Sequence, residues 1–197
     1  MRSDELEELH YITAIENVPS VLKRGILSNR RAAKLPHRSV AMEEIQERRE
    51  NVVIPGGRPL HEYANLYINA RNKMMYKRKN GHADICVLRV SIDVLDLPGV
   101  VVADSNASSG YVRFAASPGG LRFINKERVF AQYWTHPDDP IDYYRHGAEM
   151  CAEVLVPDRV EPDQIIGAYV SCNQSLEALN EITNGLAISS NRHLFFY

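Results

Sequence analysis

The sequence predicts a single mixed α+β domain over residues 1–197, and three observations predict it. The chain has 197 residues, about one domain's worth. It is 45% hydrophobic and 24% charged, the balance of a soluble globule rather than a disordered chain. Short β-branched apolar runs and stretches of helical spacing fall in different segments, with no internal repeat.

His10 to Ile15 alternates and is β-branched, which predicts a first strand. Asn17 and Pro19 then open a helix with Val18, Val21, Leu22 and Ile26 in helical spacing, and Gly25 ends it. Residues 29–38 lack periodicity and read as a loop. Ser39 caps a second helix running to about Asn51, stopped by Pro55-Gly56-Gly57. His61 to Asn69 reads as a strand, Lys77 to His82 as a polar turn, and Ile85 to Val90 as the clearest strand. Val100 to Ala103 is another strand, and Leu121 to Tyr133 holds one or two short helices. The polar stretch from Thr135 to Gly147 reads as a loop. Strands follow at Cys151–Val156 and Ile165–Ser171, then a helix from Ser175 to Asn184 and a short strand at His193–Phe196.

No apolar run approaches the roughly 18 residues a membrane helix needs. The acidic N-terminus lacks the apolar stretch of a secretory signal. Cys86, Cys151 and Cys172 lie far apart without a C-x-x-C, so they are expected as reduced thiols in a cytoplasmic protein, with no metal bound. A metal set from His136, Asp138 and His146 has no recognised spacing. P-loop, G-x-G-x-x-G and G-x-S-x-G signatures are missing.

Glu153 is the most conspicuous residue, a carboxylate in the apolar run Cys151-Ala152-Glu153-Val154-Leu155-Val156. It is either an edge-strand side chain in water or a buried carboxylate kept for chemistry, because burial without a partner is costly. Arg48-Arg49 forms either a solvated helix face or a guanidinium clamp for a pyrophosphate. His10, Tyr11 and Thr13 on the first strand either face water or orient a ribose or amide. Tyr63, Tyr67, Arg71, Lys73, Met74, Met75, Tyr76, Lys77, Arg78 and Lys79 interleave aromatic, apolar and basic residues, the composition of a single-strand groove or of a solvated basic hairpin. Tyr143, Tyr144, Arg145 and His146 sit in the polar stretch as either an ordered surface loop or a loop that reads a substrate.

Taken in order, these segments resemble the DarT family of bacterial toxins that ADP-ribosylate DNA. The resemblance is carried by Ile12-Thr13-Ala14-Ile15-Glu16-Asn17, Gly25-Ile26-Leu27, Ile45-Gln46-Glu47-Arg48-Arg49, Pro55-Gly56-Gly57, Leu60-His61-Glu62-Tyr63 and Met74-Met75-Tyr76. Ala131-Gln132-Tyr133-Trp134 and Ala152-Glu153-Val154-Leu155-Val156 complete it, over roughly residues 8 to 171. It implies an ADP-ribosyltransferase-like fold, two small β-sheets forming an NAD cleft with peripheral helices. It implies a toxin that transfers ADP-ribose from NAD to a base in single-stranded DNA and releases nicotinamide, without a metal.

On the same resemblance Glu153 is the catalytic carboxylate and Arg49 the catalytic arginine. NAD would be held by His10, Tyr11, Thr13 and Arg49, and DNA by Tyr63, Arg71, Met75, Tyr76, Lys77, Arg78, Tyr143, Tyr144, Arg145 and His146. A cognate macrodomain antitoxin is the implied partner. Thymine-modifying members carry Tyr-His before Ile-Thr, whereas this chain carries His10-Tyr11, which favours the guanine-modifying subgroup. Transfer to protein or RNA, and nucleic-acid binding without catalysis, are the competing readings.

The formal charge of −2 hides a segregation. Residues 17–42 hold six Lys or Arg and no acid, and residues 63–83 hold five and no acid. Residues 135–163 hold eight acids against two arginines, the expected base-reading side.

Overall fold

A computed structural model describes residues 1–197. β1 (Leu9–Ala14) forms where the alternating run predicts it. α1 (Val18–Arg24) follows, with proline in its first turn, where a missing N–H costs nothing. Gly25 then turns the chain with φ +84°, and a Cβ there would meet the Val160 carbonyl oxygen at 2.1 Å. That close approach lets β2 (Ile26–Leu27) pair with β8 (Arg159–Val160), a separate two-stranded ribbon.

α2 (Asn29–Ala32) occupies part of the expected loop, and α3 (Glu43–Glu50) is shorter than the expected helix. β3 (Tyr63–Tyr67) precedes α4 (Lys73–Arg78), a helix where a basic hairpin or turn was expected. Its N-cap explains it: the Asn72 side chain accepts from the Met75 N–H at 3.1 Å. β4 (Ile85–Val90) has Ile85 through Leu88 all buried, the continuous apolar run of a strand covered on both faces. β5 (Val101–Ala103), β6 (Phe114–Ala116) and α5 (Lys126–Val129) lead into α6 (Pro140–Glu149).

α6 corrects the expected polar loop. Asp139 caps it, accepting from the Asp142 N–H at 2.9 Å, and Pro140 opens its first turn. β7 (Glu153–Pro157), β9 (Ile165–Val170) and α7 (Asn173–Ile182) match expectation to within a few residues, and β10 (Ile188–Ser190) follows them. The strand expected at His193–Phe196 is a 3₁₀ turn, Arg192–Phe195, because Leu194 and Phe195 bury together in a tight turn rather than pairing.

The strand order is β10-β9-β4-β1-β3-β7-β5-β6. β1 pairs with β4 through six register positions, and β3 with β7 through five. Between β1 and β3 only His10 and Tyr67 are in register. The sheet is therefore two four-stranded halves hinged on one pair, which is how the two small sheets expected from the resemblance are realised. On one face Leu9, Leu66, Ile68, Val154 and Val156 close a shared core. The splayed halves leave a cleft between them.

No helix is long and apolar enough to cross a membrane. The three cysteines are unpaired.

Candidate active site

The cleft measures about 1030 Å³, at the top of the roughly 300–1,000 Å³ range of small-molecule sites. β1 contributes Tyr11, Ile12 and Thr13 to its wall, and β3 contributes Tyr63, Asn65 and Tyr67. The β3 residues alternate along the strand, so they share a face. Seven lysines and arginines line it against three carboxylates, so the cleft is electropositive in a chain of net charge −2.

Register places Glu153, the first residue of β7, opposite Tyr67 on β3 and Ala103 on β5, at one end of the second half-sheet. Its side chain is 0% exposed. Arg49, in the last turn of α3, reaches across with both arms: Nη1 donates to Oε1 and Nη2 to Oε2, each at 2.9 Å. The Ala107 backbone N–H donates to the same Oε1 at 3.1 Å. This buried two-point pair satisfies the rule that a charge taken from water must be matched in geometry as well as in sign. Arg49 faces the cleft and Glu153 lies behind it. Burial works against the charge on Arg49, but the Glu153 carboxylate outweighs it and raises the guanidinium pKa.

Three further cleft groups have shifted protonation. Burial, then the nearby Glu153 charge, pushes the Tyr67 phenol well up, so it stays a neutral donor. Burial and the adjacent Arg49 lower His61, whose Nε2 is buried without a hydrogen-bond partner. Burial raises the Cys151 thiol to about 11, which leaves it unreactive at neutral pH.

The expected site residues divide. Glu153 and Arg49 come together, and Tyr11, Thr13, Tyr63, Lys77, Tyr144 and Arg145 line the cleft or its floor. His10 does not. Its ring is tied down outside the cleft instead, with Nδ1 3.2 Å from the Ile68 carbonyl and Nε2 3.2 Å from Glu8. Met75 is fully buried in the core under α4 and cannot reach DNA. Arg71 donates to the His193 carbonyl and stacks over Phe196, 3.9 Å from the ring centre. Arg78 donates to the Val40 carbonyl at 2.7 Å, and Tyr76 packs edge-on against Trp134 and Phe196. These three tie α4 to its surroundings outside the cleft.

Tyr143 packs edge-on against Tyr144. His146 is buried, with Nδ1 2.8 Å from His136 Nε2. No group of three His, Cys, Asp or Glu is placed to hold a metal ion. Asp142 and Glu149 both pair with Arg128, so these acids hold α6 in place.

Asn65, His61 and the Ala107 N–H escape sequence reasoning, and Tyr67 is named there only among the groove residues. Tyr67 and Asn65 become cleft residues only once strand parity and register are known, and a backbone N–H leaves no mark in a sequence.

A split sheet, a cation-lined cleft and a buried Arg–Glu pair at its floor define an ADP-ribosyltransferase-like fold. The family model described as "ssDNA thymidine ADP-ribosyltransferase, DarT" matches residues 10–195. The chain belongs to the DarT family. It is 28% identical over 186 residues to a DNA ADP-ribosyl transferase-DNA ADP-ribosyl glycohydrolase fusion protein of Thermosipho africanus, covering 90% of this chain and 46% of that protein. It therefore spans about half that relative's length. The solved Thermosipho africanus DarTG in complex with ADP-ribose superposes with a TM-score of 0.82 at 26% identity, over 97% of this chain and 51% of that one. The Thermus sp. 2.9 DarT in complex with ADP-ribosylated ssDNA gives a TM-score of 0.81 at 23% identity, over 97% of each chain, a likeness of fold.

Proposed function

We propose that this chain is an NAD-dependent transferase that moves ADP-ribose onto a base in single-stranded DNA and releases nicotinamide. The observation that carries this reading is the Arg49–Glu153 pair at the floor of a cation-lined cleft. Membership of a family described by this reaction supports it. NAD is the donor, and no metal is assigned a role. The cations along the wall suit its pyrophosphate and the phosphates of a DNA strand. Tyr11 and Thr13 replace His10 as the first-strand contacts, because they alone of the three face the cleft.

The reaction breaks the bond between ribose C1′ and the nicotinamide nitrogen, and the bonding pair leaves with nicotinamide. A base nitrogen supplies the new pair to C1′ and gives up its proton. Glu153 is suited to both demands, stabilising positive charge at C1′ and accepting that proton. Its burial sets a condition: Arg49 must swing aside before the carboxylate touches substrate, and the freed guanidinium then meets the incoming anion. Exchange of one anionic partner for another keeps the arginine paired throughout.

Thymidine is the base we propose, following the family description. The guanine preference expected from the His10-Tyr11 order finds no support there. A macrodomain-type antitoxin is the proposed partner, supported by the fusion of transferase and glycohydrolase in the Thermosipho africanus relative.

The test is acceptor competition with labelled NAD and equal masses of single-stranded DNA, RNA and protein. Label is expected on thymidine-containing single strands. Label on protein or RNA alone would overturn the reading.

A further inference from the structure

We propose that Tyr111 and Tyr144 form an aromatic clamp at the cleft mouth that stacks the nucleobases flanking the base to be modified. The inference rests on the single-strand acceptor reading above and names the part of the site that reads the strand around its target.

The clamp is visible as an anomaly of exposure. Tyr111 is 76% exposed and Tyr144 68%, and both line the same cleft. They come from different elements, Tyr111 from the loop between β5 and β6 and Tyr144 from α6. Two large rings exposed in one cleft, from two parts of the chain and beside exposed Ile141, suit a partner that covers them. The charge around them says which kind. The Arg145 guanidinium lies 5.8 Å from the Tyr111 ring centre, and Lys73 Nζ lies 5.2 Å from that of Tyr144. Exposed rings interleaved with cations are the pattern of a single-strand platform, where cations track phosphates and rings take the bases. An apolar protein partner would leave those cations buried without counter-charge.

The positions are also fixed relative to the chemistry. The Tyr111 loop is anchored by the Asn106 N–H donating to the Ala148 carbonyl of α6 at 2.9 Å. One residue on, the Ala107 N–H donates to Glu153 at 3.1 Å. Asp104 and Arg113 close the loop's base as an ion pair. A base stacked on Tyr111 is therefore held at a set distance from Glu153, and its neighbour in the strand is presented to the cleft. Sequence reasoning named Tyr144 and Arg145 but not Tyr111, because a lone tyrosine in a Ser-Gly loop carries no periodic signal.

The test measures binding of a dye-labelled single-stranded oligonucleotide by fluorescence polarisation. A matched strand carries abasic sites on both sides of the central thymidine. Wild type is expected to bind the base-bearing strand about 25- to 20,000-fold more tightly than the abasic one, because two stacks are lost, each supplying about five- to 150-fold. Tyr111→Ala and Tyr144→Ala each shrink that ratio, and Tyr111→Phe restores it because the ring alone does the stacking. Equal ratios in wild type and Tyr111→Ala would overturn the clamp. So would a wild type that binds both strands alike. Base-dependent binding by a wild type that transfers ADP-ribose to no strand would instead overturn the acceptor reading and leave the clamp standing.

Discussion

Two carboxylates are buried in this molecule, Glu8 and Glu153, and each is held by an arginine. Glu8 lies one residue before β1. It accepts from Arg89 Nε at 2.6 Å, and His10 Nε2 lies 3.2 Å away. Glu153 lies at one end of the second half-sheet, against both arms of Arg49 and a backbone N–H. Burial and an arginine partner are therefore not what marks a catalytic acid. What differs is the other side of the arginine. Arg89 stacks toward the Tyr169 ring, 5.0 Å from its centre, within the protein's own structure. Arg49 faces a cleft large enough for a dinucleotide. Glu8 is a finished ion pair, whereas the Glu153 pair is open to exchange.

The largest expected effect tests that distinction. Glu153→Gln keeps the side chain's shape and most of its hydrogen bonds but removes the charge. Transfer to single-stranded DNA should fall by about 10²–10⁴-fold, with the circular dichroism of the folded protein retained. Full activity in that variant would break the assignment.

Arg49→Ala should act on both function and fold. It strands a buried carboxylate, a loss of about 3–5 kcal/mol in urea unfolding. An unfolding midpoint equal to wild type would show that water enters the cleft floor freely.

Glu8→Gln should separate the two sites. Burial opposes the Glu8 charge, but His10, Arg89 and Tyr169 outweigh it and hold its pKa at about 2 against an ordinary 4.5. Its charge thus stabilises the fold above the unfolded-state value, and that stabilisation is lost as pH falls from about 4.5 toward 2. The substitution should destabilise the fold at pH 7 and flatten the stability profile in that acid window. Transfer by the folded variant should be unchanged.

Arg89→Lys should give the smallest effect, about 1 kcal/mol, because a half-exposed lysine keeps the charge on Glu8. A larger loss would mean that the guanidinium's stacking on Tyr169 matters more than its charge.

The legibility of these two acids in the sequence was unequal for a physical reason. Glu153 interrupts an apolar strand, and a charge in such a run is conspicuous. Glu8 follows Glu5 and Glu7 and looks like one more solvated acid. Arg49 was recognisable only through the family resemblance, because Glu47-Arg48-Arg49-Glu50 reads as an exposed helix face until Glu153 is placed beside it. The strands of β1, β4, β7 and β9 were legible because β-branched runs dominate them. α6 was not, although Asp139-Pro140 is a sound helix start, because Tyr143 to His146 has the composition of a surface loop. Met75 was misplaced by the same route: in a basic stretch it looked like part of a groove, and only the Asn72-capped helix turns it into the core.

The most direct test of the account compares Glu153→Gln with Glu8→Gln in one product analysis by mass spectrometry, on thymidine-containing oligonucleotides incubated with NAD. The account predicts one added ADP-ribose per modified thymidine with wild type and Glu8→Gln, and none with Glu153→Gln. Modified DNA from Glu153→Gln, or its loss in folded Glu8→Gln, would contradict it.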